Sequence, residues 1–185
     1  MIPRPSIIVS TARWAGKGMP ATLSKLIRNG DTWKLQPFPS EKLNNVNNPD
    51  GLKAVLGFEI DRNDVIWILD QGHIAGAPSG PKDEKLILWD LRQNKEIQRY
   101  IFSEADSNKK CSFLNDLAVD NDTGFAYIAD SGIFCNPLHG GLLVYDSKKN
   151  VARRILDRSP FTNNEPHFVF NIDNLQLHAR IWMLL

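Results

Sequence analysis

Apolar and polar positions alternate with a period of two along almost the whole chain, which predicts strands rather than helices. The runs are 6–13, 22–28, 32–36, 55–61, 65–70, 85–90, 96–102, 113–120, 124–130, 141–146 and 151–156. Asn29-Gly30 between the second and third runs predicts a tight hairpin, because both residues tolerate positive φ. The Asn-rich stretch 42–51, the Gly/Pro/Ser-rich stretch 72–81 and the charged stretch 103–110 predict loops. Helical periodicity is weak throughout.

The pattern repeats after about 60 residues. VIWILDQG, starting at Val65, aligns with FAYIADSG, starting at Phe125. LILWDLRQNKEIQRYIF, starting at Leu86, aligns with LLVYDSKKNVARRIL, starting at Leu142. Each copy is four short antiparallel strands with a longer loop after the second. Tandem units of that kind predict the blades of a β-propeller. The chain therefore reads as all-β, an incomplete propeller over residues 1–172. Blade one spans 6–38 and lacks its first strand; blades two and three span 55–103 and 113–157. The alternation breaks in LQLHARIWMLL, so 173–185 reads as an irregular tail and a non-native C-terminus. Three blades do not close a ring. The expectation is a fragment of a longer propeller, with association to complete the disk as the alternative, since open sheet edges invite aggregation.

Composition changes this picture little. The 185 residues carry 22 Lys and Arg against 21 Asp and Glu, so no basic excess points to nucleic acid or an anionic membrane. No stretch approaches the roughly 18 uninterrupted apolar residues of a membrane span. The N-terminal MIPRPSIIVSTARW lacks the apolar core of a secretory signal. Two cysteines, Cys111 and Cys135, are too few for a disulfide scaffold and lack metal spacing.

IIVSTARWAGKGMPATLSKL followed by LQPFPS, then VIWILDQG, KLILWDLRQNKEIQRYIF, FAYIADSG and GGLLVYD, occur in an order that resembles the yellow/major royal jelly protein family. FLNDLAVD is closer to the microbial members than to the insect ones. The resemblance covers about residues 7 to 172. It implies a six-bladed propeller, a secreted protein, and further blades beyond this chain. Insect members are associated with dopachrome conversion and pigmentation, or act as nutritive or lipid- and amine-binding proteins. Microbial members mostly lack an assigned activity, and the fold does not choose among these roles.

In a propeller, the loop entering each inner strand and the loop after each second strand lie on one face. That places Arg13, Trp14 and Lys17 of blade one on a common rim. It also places His73 of blade two there, with Cys111, Asn115, Asp116, Cys135 and His139 of blade three. A small-molecule ligand is expected at this channel mouth. Asn115-Asp116 opens an inner strand and is similar to the Asn-Asp or Asn-Gly of gluconolactonase and paraoxonase propellers, where such an Asn helps hold a divalent cation. Amide and carboxylate oxygens suit Ca2+, which takes six or more of them. The acidic ligand that pattern needs near the chain start is not visible. A water-filled channel or a bond to a neighbouring blade explains the pair equally. His73 and His139 are candidate proton shuttles or ligands, against the plainer reading of exposed loop histidines. Cys111 and Cys135 share a rim and are open to a disulfide in an oxidising compartment. Asp70 and Asp130 read as turn caps. Trp67, Tyr127, Trp89 and Tyr145 read as blade core. Ser79-Gly80 and Ser131-Gly132 show no neighbours that would activate a nucleophile.

Three functions follow from this reading: a secreted small-molecule-binding propeller, a metal-dependent lactonase or hydrolase using Asn115 and Asp116, or a protein-interaction scaffold. A chain with half its channel is expected to be inactive alone.

Overall fold

The computed structural model describes residues 7–14, 18–77, 79–162, 169–172 and 175–178. The chain divides into two compact units, Met1–Ile101 and Phe102–Leu185.

The first unit holds two antiparallel sheets. One is three-stranded, β1 (Ile7–Ser10), β2 (Leu23–Asn29) and β3 (Thr32–Pro37), in that order. The other runs β4 (Val55–Ile60), β5 (Val65–Asp70), β6 (Lys85–Asp90) and β7 (Lys95–Ile101). The second unit holds β8 (Leu114–Asp120), β9 (Phe125–Asp130), β10 (Gly141–Asp146) and β11 (Val151–Ile155), again in chain order. The result is an all-β partial propeller, two four-stranded blades and one three-stranded blade.

The β2–β3 turn differs by one residue from expectation. Asn29 pairs with Thr32, so Gly30 and Asp31 form the two-residue loop. Gly30 takes φ +62° at the first central position, where a glycine-first hairpin turn needs it. In the later blades the repeat is exact in its turn chemistry. Asn94 and Asn150, both at φ near +50°, occupy equivalent places in the β6–β7 and β10–β11 turns. The Asp90 and Asp146 carboxylates accept the N–H groups that begin those turns.

The core of the first unit joins both its sheets: Leu23 and Phe38 from the first blade meet Leu52, Val55, Ile66, Ile68 and Ile87 from the second. Within it sits a polar node. Asn44 is buried, and its carboxamide is satisfied on both sides. Its oxygen accepts Thr22 and Leu23 N–H, and its nitrogen donates to the Phe38 and Ser40 carbonyls. Asn44 ends a one-turn helix, α1 (Glu41–Asn44), inside the segment expected to be a loop. Ser40 caps it, its Oγ accepting Leu43 N–H at 3.1 Å. Four residues are too few to show a helical period, which is why the pattern missed it.

Arg13, expected on the rim, is instead fully buried at 0% exposure. Its guanidinium donates to the carbonyls of Asn44 (2.6 Å), Leu52 (2.9 Å), Lys53 (2.5 Å) and Met19 (3.2 Å). Five fixed donors let one side chain satisfy several converging carbonyls. Burial lowers its pKa from the usual guanidinium value, and the Asp70 carboxylate opposes that shift. Tyr127 also departs from expectation. It is 41% exposed, on a sheet face it shares with exposed Ala118, whereas Tyr145 is fully buried.

After β11 come a short 3-10 turn, Pro160–Thr162, and a hairpin of β12 (Val169–Ile172) and β13 (Leu175–His178). The segment after Asp173 was expected to be irregular, but it carries a paired strand at Leu175–His178. Among the described residues no helix is long and apolar enough to cross a membrane.

Replacing Arg13 by Ala strands several buried carbonyls. The expected loss is about 3 kcal/mol, read as a lower urea midpoint at unchanged slope. A midpoint equal to that of the parent protein would show that the carbonyls are satisfied without it.

Candidate functional site

The end of each four-stranded sheet is closed by one carboxylate. Asp70, the last residue of β5, is buried. It accepts Lys53 N–H (2.7 Å) and Ala54 N–H (2.8 Å) where the chain enters β4, and Gly72 N–H (3.1 Å) in its own exit turn. Lys85 Nζ donates to it at 2.9 Å from the start of β6, with both side chains fully buried. Asp130 repeats this at the end of β9, accepting Phe113 N–H (2.7 Å) and Gly132 N–H (2.9 Å). Its cation is Arg154 from β11, at 2.7 Å. The turn-cap role of Asp-x-Gly is present in both. The bond to the inner strand and the ion pair were not visible in the sequence.

In the first unit this closure sets up a side-chain cluster. Gly72 has φ +79°, and a Cβ there would lie 2.8 Å from Asp83 C and Glu84 N. Glycine thus lets the exit of β5 run against the residues leading into β6. Gln71 holds the next backbone unit from both sides, its Oε1 accepting His73 N–H and its Nε2 donating to His73 O. His73 is left with its ring between two partners. Ser79 Oγ lies 2.8 Å from Nδ1. Glu84 Oε1 lies 3.4 Å from Nε2, with the Glu84 side chain 1% and the His73 side chain 21% exposed. An ionised carboxylate only accepts. With Glu84 ionised, a ring hydrogen on Nε2 turns the Nδ1 lone pair to the serine hydroxyl, although Nε2 and Oε1 do not meet in hydrogen-bond geometry. The loop is closed by Asp83, whose Oδ2 accepts Gly80 N–H at 2.6 Å, and Lys85 Nζ donates to Asp83 O.

Ser79 thus has a histidine within hydrogen-bond distance, a neighbour that the sequence reading does not supply. His73 and Glu84 come from either side of a loop, a proximity that pairwise spacing does not reveal. The available signal was a histidine and a carboxylate flanking one Gly/Pro/Ser loop at two strand ends. Trp14 is 64% exposed. It is next to Arg13, whose carbonyl accepts Ala75 N–H from the His73 loop. Lys17 lies outside the described residues. A separate groove of about 380 Å3, lined in part by Lys25, Gln36, Phe38, Glu41 and Leu91, contains none of the expected site residues.

In the second unit, Cys111 and Cys135 form a disulfide, with Cα atoms 4.4 Å apart. His139 follows, its Nδ1 2.9 Å from Pro137 O. The two sulfurs and a His139 ring nitrogen lie within 4.8 Å of one another, but the disulfide leaves no thiolate to ligate a metal. Asn115 is half-buried at a bulge, where the β8–β9 register slips between Leu114 and Asp116. Such a bulge re-aims a side chain at a sheet end. Asp116 is exposed and its Oδ1 accepts Leu117 N–H at 2.8 Å. No cluster of three acidic, imidazole or thiol donors that includes Asp116 occurs among the described residues. Asn115 and Asp116 do not form a Ca2+ cage by themselves.

The sequence model of the family described as major royal jelly protein matches residues 53–181. The chain is 31% identical over 160 residues to a dopaminechrome tautomerase of Drosophila melanogaster, covering 80% of this chain and 33% of that protein. It is 27% identical over 131 residues to major royal jelly protein 9 of Apis mellifera, covering 64% of this chain and 28% of that one. The chain thus spans about a third of the length of these relatives.

The Cys111–Cys135 bridge closes a loop across a sequence separation of 24. Its reduction is expected to cost about 3 kcal/mol. Melting the protein with and without a phosphine reductant measures this, and the double Cys→Ser variant should melt with the reduced form. An unchanged melting temperature would mean the loop is held by its other contacts.

Proposed function

The chain belongs to the major royal jelly protein family, and from that premise we propose that it is part of a secreted propeller that binds a small molecule at the channel-mouth end of its blades and moves a proton on it. The observation that carries this reading is the partly exposed His73 imidazole with the buried Glu84 carboxylate behind it. It occurs in a chain related to a tautomerase. Tautomerisation removes a proton from one atom and returns it to another, so one group must act first as base and then as acid. An imidazole suits both roles near neutral pH. In this reading His73 Nδ1 takes the proton, the Glu84 carboxylate steadies the imidazolium, and the same nitrogen gives the proton back. Exposed Trp14 supplies an aromatic face for a planar ligand. The Cys111–Cys135 disulfide supports secretion, because such bridges persist in oxidising compartments.

Dopaminechrome is the first substrate to test. His73→Gln should lower kcat by about 100-fold or more, with Trp14→Ala acting mainly on KM. Turnover by the His73→Gln protein at the parent rate would remove His73 from the reaction.

A further inference from the structure

We propose that Ser79, His73 and Glu84 form a nucleophilic triad, which gives the protein an acyl-transfer activity toward small carboxylic esters. This goes beyond the proton-transfer reading and does not depend on it. Three observations carry it. Ser79 Oγ is hydrogen-bonded to His73 Nδ1 at 2.8 Å. The far nitrogen of the same ring faces a buried carboxylate at 3.4 Å. Gln71 fixes the His73 backbone through two hydrogen bonds, so the ring is presented by a held main chain. A nucleophile within reach of a base that a third group orients is the arrangement that activates a serine. Geometry and roles, not sequence order, define such a triad. Here the ring is used in the reverse sense, with Nδ1 toward the serine. At 3.4 Å the two atoms are an ion pair only when the ring is protonated and do not meet in hydrogen-bond geometry; catalytic hydrogen bonds commonly shorten when a ligand binds.

The loop that carries Ser79 is only partly buried. Ser79 is half-buried rather than enclosed. In the same loop Gly76 has nothing within 4 Å of where a Cβ would stand. The loop is nonetheless anchored at both ends, through the Gly80 N–H bond to Asp83 and the Ala75 N–H bond to Arg13 O.

The chemistry balances without a cofactor. Ser79 Oγ attacks the ester carbonyl carbon as its proton passes to His73 Nδ1. The Nε2–H of the resulting imidazolium points at Glu84. Collapse of the tetrahedral adduct breaks the bond to the alcohol, and the alkoxide takes the proton back from Nδ1. The acyl group stays on Ser79. Water then attacks the acyl-serine with Nδ1 as base, and the carboxylic acid leaves as Ser79 is restored.

The test uses the purified protein with a fluorophosphonate probe and with p-nitrophenyl acetate. The probe should label one serine, located at Ser79 by peptide mass, and the acetate should be hydrolysed. Ser79→Ala should abolish both. His73→Gln should slow labelling about 100-fold or more, and Glu84→Gln should slow it at least several-fold. Ser131→Ala, which alters the other Ser-Gly pair, should label like the parent. Circular dichroism and melting of each variant separate a lost nucleophile from a lost fold. Labelling elsewhere than Ser79, no labelling of the folded parent protein, or equal rates in His73→Gln would overturn the triad. Dopaminechrome turnover in the same preparations reads the proton-transfer proposal separately, since that reaction needs no acyl-serine.

Discussion

The structure depends on a buried carboxylate at the end of the second strand of each four-stranded sheet. Asp70 and Asp130 each receive a main-chain N–H from the start of the innermost strand, another from the glycine two residues on, and a cation from an outer strand. One side chain thereby ties three separate chain segments at one end of the blade. A carboxylate taken out of water is costly unless it is paired and fully hydrogen-bonded. Here each is paired and hydrogen-bonded, so the constraint holds the segments together rather than driving them apart. The cation differs between blades, Lys85 from β6 in one and Arg154 from β11 in the other. The guanidinium of Arg154 lies over Gly141, where any Cβ would meet its Nη2 at 2.5 Å. A glycine opposite an arginine is thus part of the same solution.

That closure decides what the adjoining loops can present. Holding Gly72 against Asp83 and Glu84 sets the direction of His73 and puts a buried carboxylate behind its ring. In the other unit the same closure holds Gly132 close to the His139 carbonyl, where a side chain would collide, and the disulfide ties the middle of that loop to the segment before β8. The two blades use one scaffold to carry different chemistry, an imidazole–hydroxyl–carboxylate cluster in one and a disulfide with a nearby imidazole in the other. Function in this fold resides in what is grafted at the sheet ends, not in the sheets.

Much of the fold was legible because the alternation of side chains is a local property. Val65–Asp70, Lys85–Asp90 and Gly141–Asp146 begin and end where the pattern places them. What was not legible depends on groups distant in sequence. Arg13 looks like a surface residue in a loop, and three of the four carbonyls it bonds come from residues 31 to 40 positions later. Asn44 sits in an Asn-rich stretch that reads as a loop, and its burial is explained by backbone groups of Thr22, Leu23, Phe38 and Ser40. The site was half legible. His73 stood out as a loop histidine at a strand end, but Ser79 and Glu84 gained meaning only when Gly72 brought the loop back on itself. Cys111 and Cys135, bonded in the structure, are brought together in the sequence only by way of the repeat.

The most direct measurement of this account is residue-resolved hydrogen exchange. If the carboxylates hold the blade ends, the amides of Lys53, Ala54, Gly72, Phe113 and Gly132 should exchange only through the largest opening of their own unit, as slowly as mid-strand amides such as Ile68 and Ile128. Exchange of those five amides at the rate of exposed loop positions would contradict it.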